Sequence, residues 1–103
     1  MWIISRKKIE DFCGKHPKAR AALDTWYNRV KTANFKTFQD VREAFPNADK
    51  VKSLIVFNIG GNNYRLIAKL RHPKIWIRNI LTHREYDRDG WKDDPWFDPE
   101  EKK

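Results

Sequence analysis

Three pairs of residues in the 103-residue chain have the types and spacing to work on a phosphate. His83 and Tyr86 stand three residues apart, so one helical turn can aim both the same way. An imidazole is the natural proton donor or acceptor near neutrality, and a phenol can stack on a base or donate a proton. Arg65 and Arg78 fall on successive predicted strands. If register puts them on one face, their planar forks can hold a phosphate through paired hydrogen bonds. Lys50 and Lys52 straddle Val51 and face one side if that stretch is extended. Beside the arginines they would stabilise the charge of a pentavalent phosphorane, and a lysine crowded by cations can serve as a base. Each of these six, taken singly, is equally well an exposed surface residue.

Other chemistries lack their residues. His16, His72 and His83 show no metal-ligand spacing, and the single Cys13 can neither form an internal disulfide nor seed a thiolate site. No phosphate-binding P-loop or dinucleotide fingerprint is present, since Gly60-Gly61 belongs to a hairpin. The stretch from Lys50 to Arg88 holds nine basic residues against only Glu85 and Asp87, too few carboxylates for a metal-dependent nuclease. The expectation is therefore a site without metal or cofactor.

That same stretch predicts a polyanion partner, because phosphates release counterions to arginine and lysine. Net charge is +8, yet residues 89–103 run the other way, with three lysines against six acids. A basic face kept only for solubility is the plainer alternative. The longest unbroken aliphatic-aromatic run, Leu54 to Phe57, cannot span a bilayer, and the opening Met1-Trp2-Ile3-Ile4-Ser5 lacks a signal-peptide layout. A cytoplasmic protein with no membrane partner is expected.

The elements that must position these side chains follow from periodicity. Residues 2–4 read as a strand, and Ser5 as the cap of a helix burying Ile9, Phe12 and Cys13 until Gly14 and Pro17 end it. A second helix from Lys18 to about Thr32 carries the stripe Leu23, Trp26 and Val30. Thr37 caps a short turn burying Phe38, Val41 and Phe45. Leu54–Asn58 and a strand from Tyr64 flank the glycine turn. In the latter, Tyr64, Leu66, Ala68 and Leu70 alternate against Arg65, Ile67, Lys69 and Arg71. After the His72-Pro73-Lys74 turn, Ile75–Leu81 is a further strand, with Trp76, Arg78 and Ile80 on one side. Thr82-His83-Arg84-Glu85 fits a capping box, so a short helix begins at His83. Residues 1–92 form one domain, and residues 93–103 an acidic, tryptophan-containing tail that reads as a strap. The order predicts an α+β fold with helices on one face of an antiparallel sheet.

With these elements placed, two segments resemble the HigB family of type II toxin–antitoxin systems, in the RelE superfamily. They are Phe57–Ile67, with its Asn-Ile-Gly-Gly-Asn-Asn-Tyr-Arg core, and Ile77–Asp87, ending His-Arg-Glu-Tyr-Asp. The Ile3-Ile4-Ser5 opening and the Lys15-His16-Pro17 break match as well; from Asp93 onward nothing does. The resemblance implies a RelE-like fold, N-terminal helices packed on a twisted antiparallel sheet with a short C-terminal helix. It implies an mRNA interferase acting on translated message in the ribosome, with the RNA's own 2′-hydroxyl as nucleophile and no metal. It also implies a HigA-type helix-turn-helix antitoxin as partner.

Carried onto this sequence, Arg65 and Arg78 would bind the scissile phosphate, and His83 would be the general acid or base. Tyr86 would stack on a base or protonate the leaving oxygen, and Lys52, with Lys50 as second choice, would support the transition state. Lys50, Lys69, Arg71, Lys74, Arg84 and Arg88 would hold the RNA backbone. Two rivals stand beside the interferase: a non-catalytic basic RNA-binding module of the same fold, and a small DNA-binding regulator. The apolar stripe of the Lys18–Thr32 helix argues against the second. The acidic tail, laid on the basic face, would restrain activity.

Overall fold

Each apolar stripe in the first half of the chain becomes the buried side of a helix. The computed structural model describes residues 1–97. Strand β1 (Trp2–Ile4) leads into α1 (Arg6–Lys15), and a short 3-10 turn from Pro17 leads into α2 (Arg20–Lys31). Ile9, Phe12 and Cys13 of α1 and Leu23, Trp26 and Val30 of α2 are buried, as the 3.6-residue period requires. On the surface, Arg20 donates to both oxygens of Glu10 at 2.8 Å, and this hydrogen bonding holds the Glu10 carboxyl down at about 2. Helix α3 (Phe38–Ala44) opens on a capping box between Thr37 and Asp40, and Val41 is its buried residue.

The sheet follows as β2 (Asp49–Val51), β3 (Leu54–Ile59), β4 (Tyr64–Arg71) and β5 (Lys74–Thr82), with α4 (His83–Asp87) directly after it. Spatial order is β1-β5-β4-β3-β2. Neighbours are antiparallel except β1, which lies parallel to β5 and departs from the all-antiparallel expectation. The physical reason is that no hairpin joins these two; the chain crosses through the helices and the meander before reaching β1's side.

Helices cover one face of the sheet, over Ile55, Phe57, Ile59, Leu66, Ala68, Ile75, Ile77 and Ile80. The opposite face carries a smaller apolar group, Leu54, Val56 and Ile67 gathered around Trp91, with Leu81, Tyr86, Trp96 and Phe97 against it. Its cover comes from a 3-10 turn at Gly90–Asp93 and the segment running on to Phe97. Of the acidic tail expected over 93–103, residues 98–103 lie outside the described residues.

Two sequence expectations need correction. Ile80 does not share a side with Trp76 and Arg78; it joins Ile75 and Ile77 in the helix-side core. Ile67 pairs with Asn79 but Ala68 with Ile77, so Arg78 is the extra residue of a β-bulge that resets the alternation. Lys52 is not extended either. Val51 pairs with Leu54, leaving Lys52 and Ser53 as a two-residue turn with Lys52 at φ 56°. Such a turn demands left-handed backbone, which the unpunctuated Val-Lys-Ser-Leu did not announce. The next hairpin behaves as read, with Gly60 and Gly61 at φ 60° and 68°.

Candidate functional site

The open side of the sheet is a cationic surface set between aromatic rings. Alternation along β4 sends Arg65, Lys69 and Arg71 to that side with Ile67, away from the helices. Lys74, Trp76 and, through the bulge, Arg78 join them from β5. Arg65 pairs with Leu81 and Arg78 lies three residues back along β5, so the two arginines stand about 10 Å apart by strand rise. They share a face, and their guanidiniums engage different ends of it.

At one end Arg65 is 8% exposed. Its Nη1 donates to the carbonyls of Asn62 and Tyr64, both at 3.1 Å, and Nη2 donates to Asn62 Oδ1 at 3.4 Å. Among the described residues every acceptor is uncharged, so the guanidinium is fixed in place with no counter-charge from them. The Tyr86 ring lies over it at 5.3 Å, and Trp91 stacks behind Tyr86 at 5.3 Å and 12°. Trp91 Nε1 donates to the Tyr86 carbonyl at 3.2 Å, which locks this three-layer stack. Arg65 and Tyr86 border a groove of about 480 Å³ whose other walls include Arg42, Asn47, Asp49 and Asn58.

Helix α4 exists because its capping box forms: Thr82 Oγ1 accepts from the Glu85 N–H at 3.2 Å, and Glu85 accepts from the Thr82 N–H at 3.0 Å. His83 opens the helix with half its side chain exposed, its Nδ1 3.0 Å from Asp87 Oδ2. A proton on Nδ1 directed at that carboxylate orients the ring and leaves Nε2 for proton exchange. Arg84 and Arg88 are exposed on and just beyond this helix.

At the other end, Arg78 donates from Nε and Nη2 to the two oxygens of Asp94, at 2.9 and 3.1 Å. Trp96 covers the guanidinium at 3.9 Å and meets Trp76 edge-to-face at 5.5 Å. Burial pushes the Asp94 carboxyl up, but Arg78's hydrogen bond and charge, with the Trp96 N–H, together bring it below the usual aspartate range. Arg71 approaches the same indole at 5.9 Å, and Lys74 lies over Trp2 at 4.6 Å. Lys69 donates to the Ser53 carbonyl at 3.1 Å; burial, then the charges of Arg71 and Lys50, push its ammonium down. Lys50 pairs with Ile55, which enters the helix-side core, so Lys50 leaves the sheet edge from the opposite face.

The sequence reading laid the acidic tail on the basic face but did not name Trp91, Asp94 and Trp96 as residues of the site. Trp91, five residues past Tyr86, was the available signal, since an indole that near a predicted site helix can reach back onto it. Among the described residues no group of three or more His, Cys, Asp or Glu side chains is placed to hold a metal ion. No helix among them is long and apolar enough to cross a membrane.

Helices behind a sheet, and a cationic face interleaved with aromatic rings in front of it, define a small α+β protein with one basic, aromatic-rich face. Comparison with known proteins narrows the class. Residues 19–89 match the HigB toxin family, the RelE-like toxic component of a toxin–antitoxin system. The chain is 36% identical over 93 residues to the mRNA interferase HigB of Escherichia coli O6:H1 (strain CFT073), spanning 85% of this chain and 90% of that protein. It is 34% identical over 92 residues to the mRNA interferase toxin HigB of Escherichia coli strain K12, spanning 84% and 88%. The mRNA interferase HigB of Shigella flexneri matches to the same extent. The chain belongs to the HigB toxin family, and membership of a toxin–antitoxin system implies an antitoxin partner.

Proposed function

We propose that this toxin is an mRNA interferase, an endoribonuclease that cuts message on the ribosome in the cytoplasm through the RNA's own 2′-hydroxyl, without a metal. The observation that carries this reading is the Arg65–Tyr86–Trp91 stack bordering an open groove on the cationic face. Arg65 presents a fixed positive charge to the scissile phosphate, and Tyr86 offers its ring edge and phenol to a base or a leaving oxygen. His83, oriented by Asp87, exchanges the proton: it takes one from the 2′-hydroxyl or gives one to the departing 5′-oxygen. The 2′-oxygen bonds to phosphorus as the 5′-oxygen leaves, so the protein's task is alignment and charge. Arg78 is the second phosphate ligand and Lys52 a supporting cation, while Lys69, Arg71, Lys74, Arg84 and Arg88 hold flanking RNA backbone, with Lys50 at the sheet edge. A HigA-type helix-turn-helix antitoxin silences the toxin.

The test is a translating extract with a reporter mRNA and EDTA-stripped protein, with the 5′ ends of fragments mapped. Cuts confined to translated codons are expected. His83→Ala and Arg78→Ala should each abolish growth arrest on induction while remaining folded and antitoxin-bound; two fully toxic variants would show the site to be misplaced. A non-catalytic RNA-binding module has one observation in its favour, the Asp94 carboxylate already seated on Arg78. Bound RNA with no fragments would decide for it.

A further inference from the structure

The segment after Trp91 does more than cover apolar residues. Asp94 meets Arg78 with two parallel hydrogen bonds, the geometry in which a guanidinium receives a phosphate. The Trp96 ring covers the same guanidinium at 3.9 Å and meets Trp76 edge-to-face, where a nucleobase would stack. Two residues therefore present an anion and an aromatic ring in the order and proximity of a nucleotide's phosphate and base. We propose that Arg78 and Trp76 form a nucleotide subsite on the cationic face, occupied in the free protein by the chain's own Asp94 and Trp96, which RNA must displace.

This proposal rests on the reading of that face as the RNA-binding one, and goes beyond it by adding a subsite and an internal competitor. The fastening is built to open. Trp91 is buried and anchors one end, but Asp94, Trp96 and Phe97 are only partly buried and Pro95 is exposed. The far end is held at the β2–β3 turn, where the Ser53 N–H donates to the Phe97 carbonyl at 3.0 Å and its hydroxyl to the carbonyls of Trp96 and Phe97. Within the segment, the Trp96 N–H donates to Asp94 Oδ1 at 2.8 Å and the Phe97 N–H to the Asp94 carbonyl at 2.9 Å. Few buried side chains and a handful of hydrogen bonds give a unit that opens at low cost while the sheet stays intact. In the open form Arg78 loses its counter-charge and Trp76 its indole cover.

The experiment measures binding of a fluorescein-labelled, 2′-O-methyl RNA oligomer, which cannot be cut, to the full chain by anisotropy across a salt series. Asp94→Asn keeps the shape and the acceptor for the Trp96 amide but removes the charge. It should bind about five- to tenfold more tightly than wild type at low salt, because RNA no longer has to break an ion pair to reach Arg78. Adding Arg78→Ala should erase that gain, and Trp76→Leu should reduce it. Trp96→Ala, which uncovers Arg78 without touching the carboxylate, is the second opening variant should Asp94→Asn fail to fold.

Equal or weaker binding by both opening variants, or no binding of the probe by any form, overturns the proposal. So does a gain that survives loss of Arg78. The interferase reading stands or falls separately, on whether Arg78→Ala and His83→Ala abolish cutting in the translating extract.

Discussion

Arg65 and Arg78 stand on neighbouring strands of one sheet face, yet the protein treats their charges in opposite ways. Around Arg65 every acceptor among the described residues is neutral, two backbone carbonyls and one amide oxygen, and a phenol ring closes the top. Around Arg78 the acceptor is a carboxylate and the lid an indole from the far end of the chain. The first arrangement fixes a cation and leaves it electrostatically uncompensated; the second compensates it. One end of the face is therefore organised for an anion before any arrives, and the other must exchange one anion for another.

Trp91 supports both ends, so its loss is the largest blow to the contrast. Trp91→Ala should cost about 3–5 kcal/mol in chemical denaturation, since it empties a buried aromatic site. It should also free Tyr86 and the 94–97 segment together. A loss confined to one end would mean that the two regions do not share this footing.

Arg65→Ala comes next. It removes three hydrogen bonds from a nearly buried guanidinium and should cost about 2–3 kcal/mol, with RNA binding lost in the same variant. Were Arg78→Ala to destabilise as much, the distinction between a structural cation and an exchangeable one would fail.

The smallest effect is one of pH. The Asp94 carboxyl sits below its ordinary range, so its contribution to stability is present above that range and is lost as pH falls through the lowered value. The stability gap between wild type and Asp94→Asn, about 1 kcal/mol near neutrality, should close in acid. The gap to Arg65→Ala should not close that way, because among the described residues no carboxylate partners that guanidinium. Thermal melts of the three proteins across pH would show it.

Much of this was legible in the sequence, for reasons tied to local rules. The stripes Ile9-Phe12-Cys13 and Leu23-Trp26-Val30 obey the helical period, and β4 alternates cleanly from Tyr64 to Arg71. Both Thr37-Asp40 and Thr82-Glu85 close as capping boxes. What stayed hidden was non-local or aperiodic. The bulge at Arg78 breaks period two, so Ile80 looked like a neighbour of Trp76 when it belongs to the other face. The Lys52-Ser53 turn has no glycine or asparagine to mark it, as lysine at positive φ is uncommon. The acids and prolines after Asp93 read as a strap, but its fastenings carry no local signal, because Asp94 finds its partner 16 residues back and Ser53 reaches Trp96 across 43.

The distribution of indoles has an optical consequence. Of the five tryptophans, Trp26 is sealed among the helices, while Trp76, Trp91 and Trp96 crowd the opposite face and Trp2 stands exposed beside Lys74. Intrinsic emission is therefore weighted towards the cationic face, with Trp26 as an internal reference inside the core. Its colour and its quenching by iodide can follow that face alone, without any label attached.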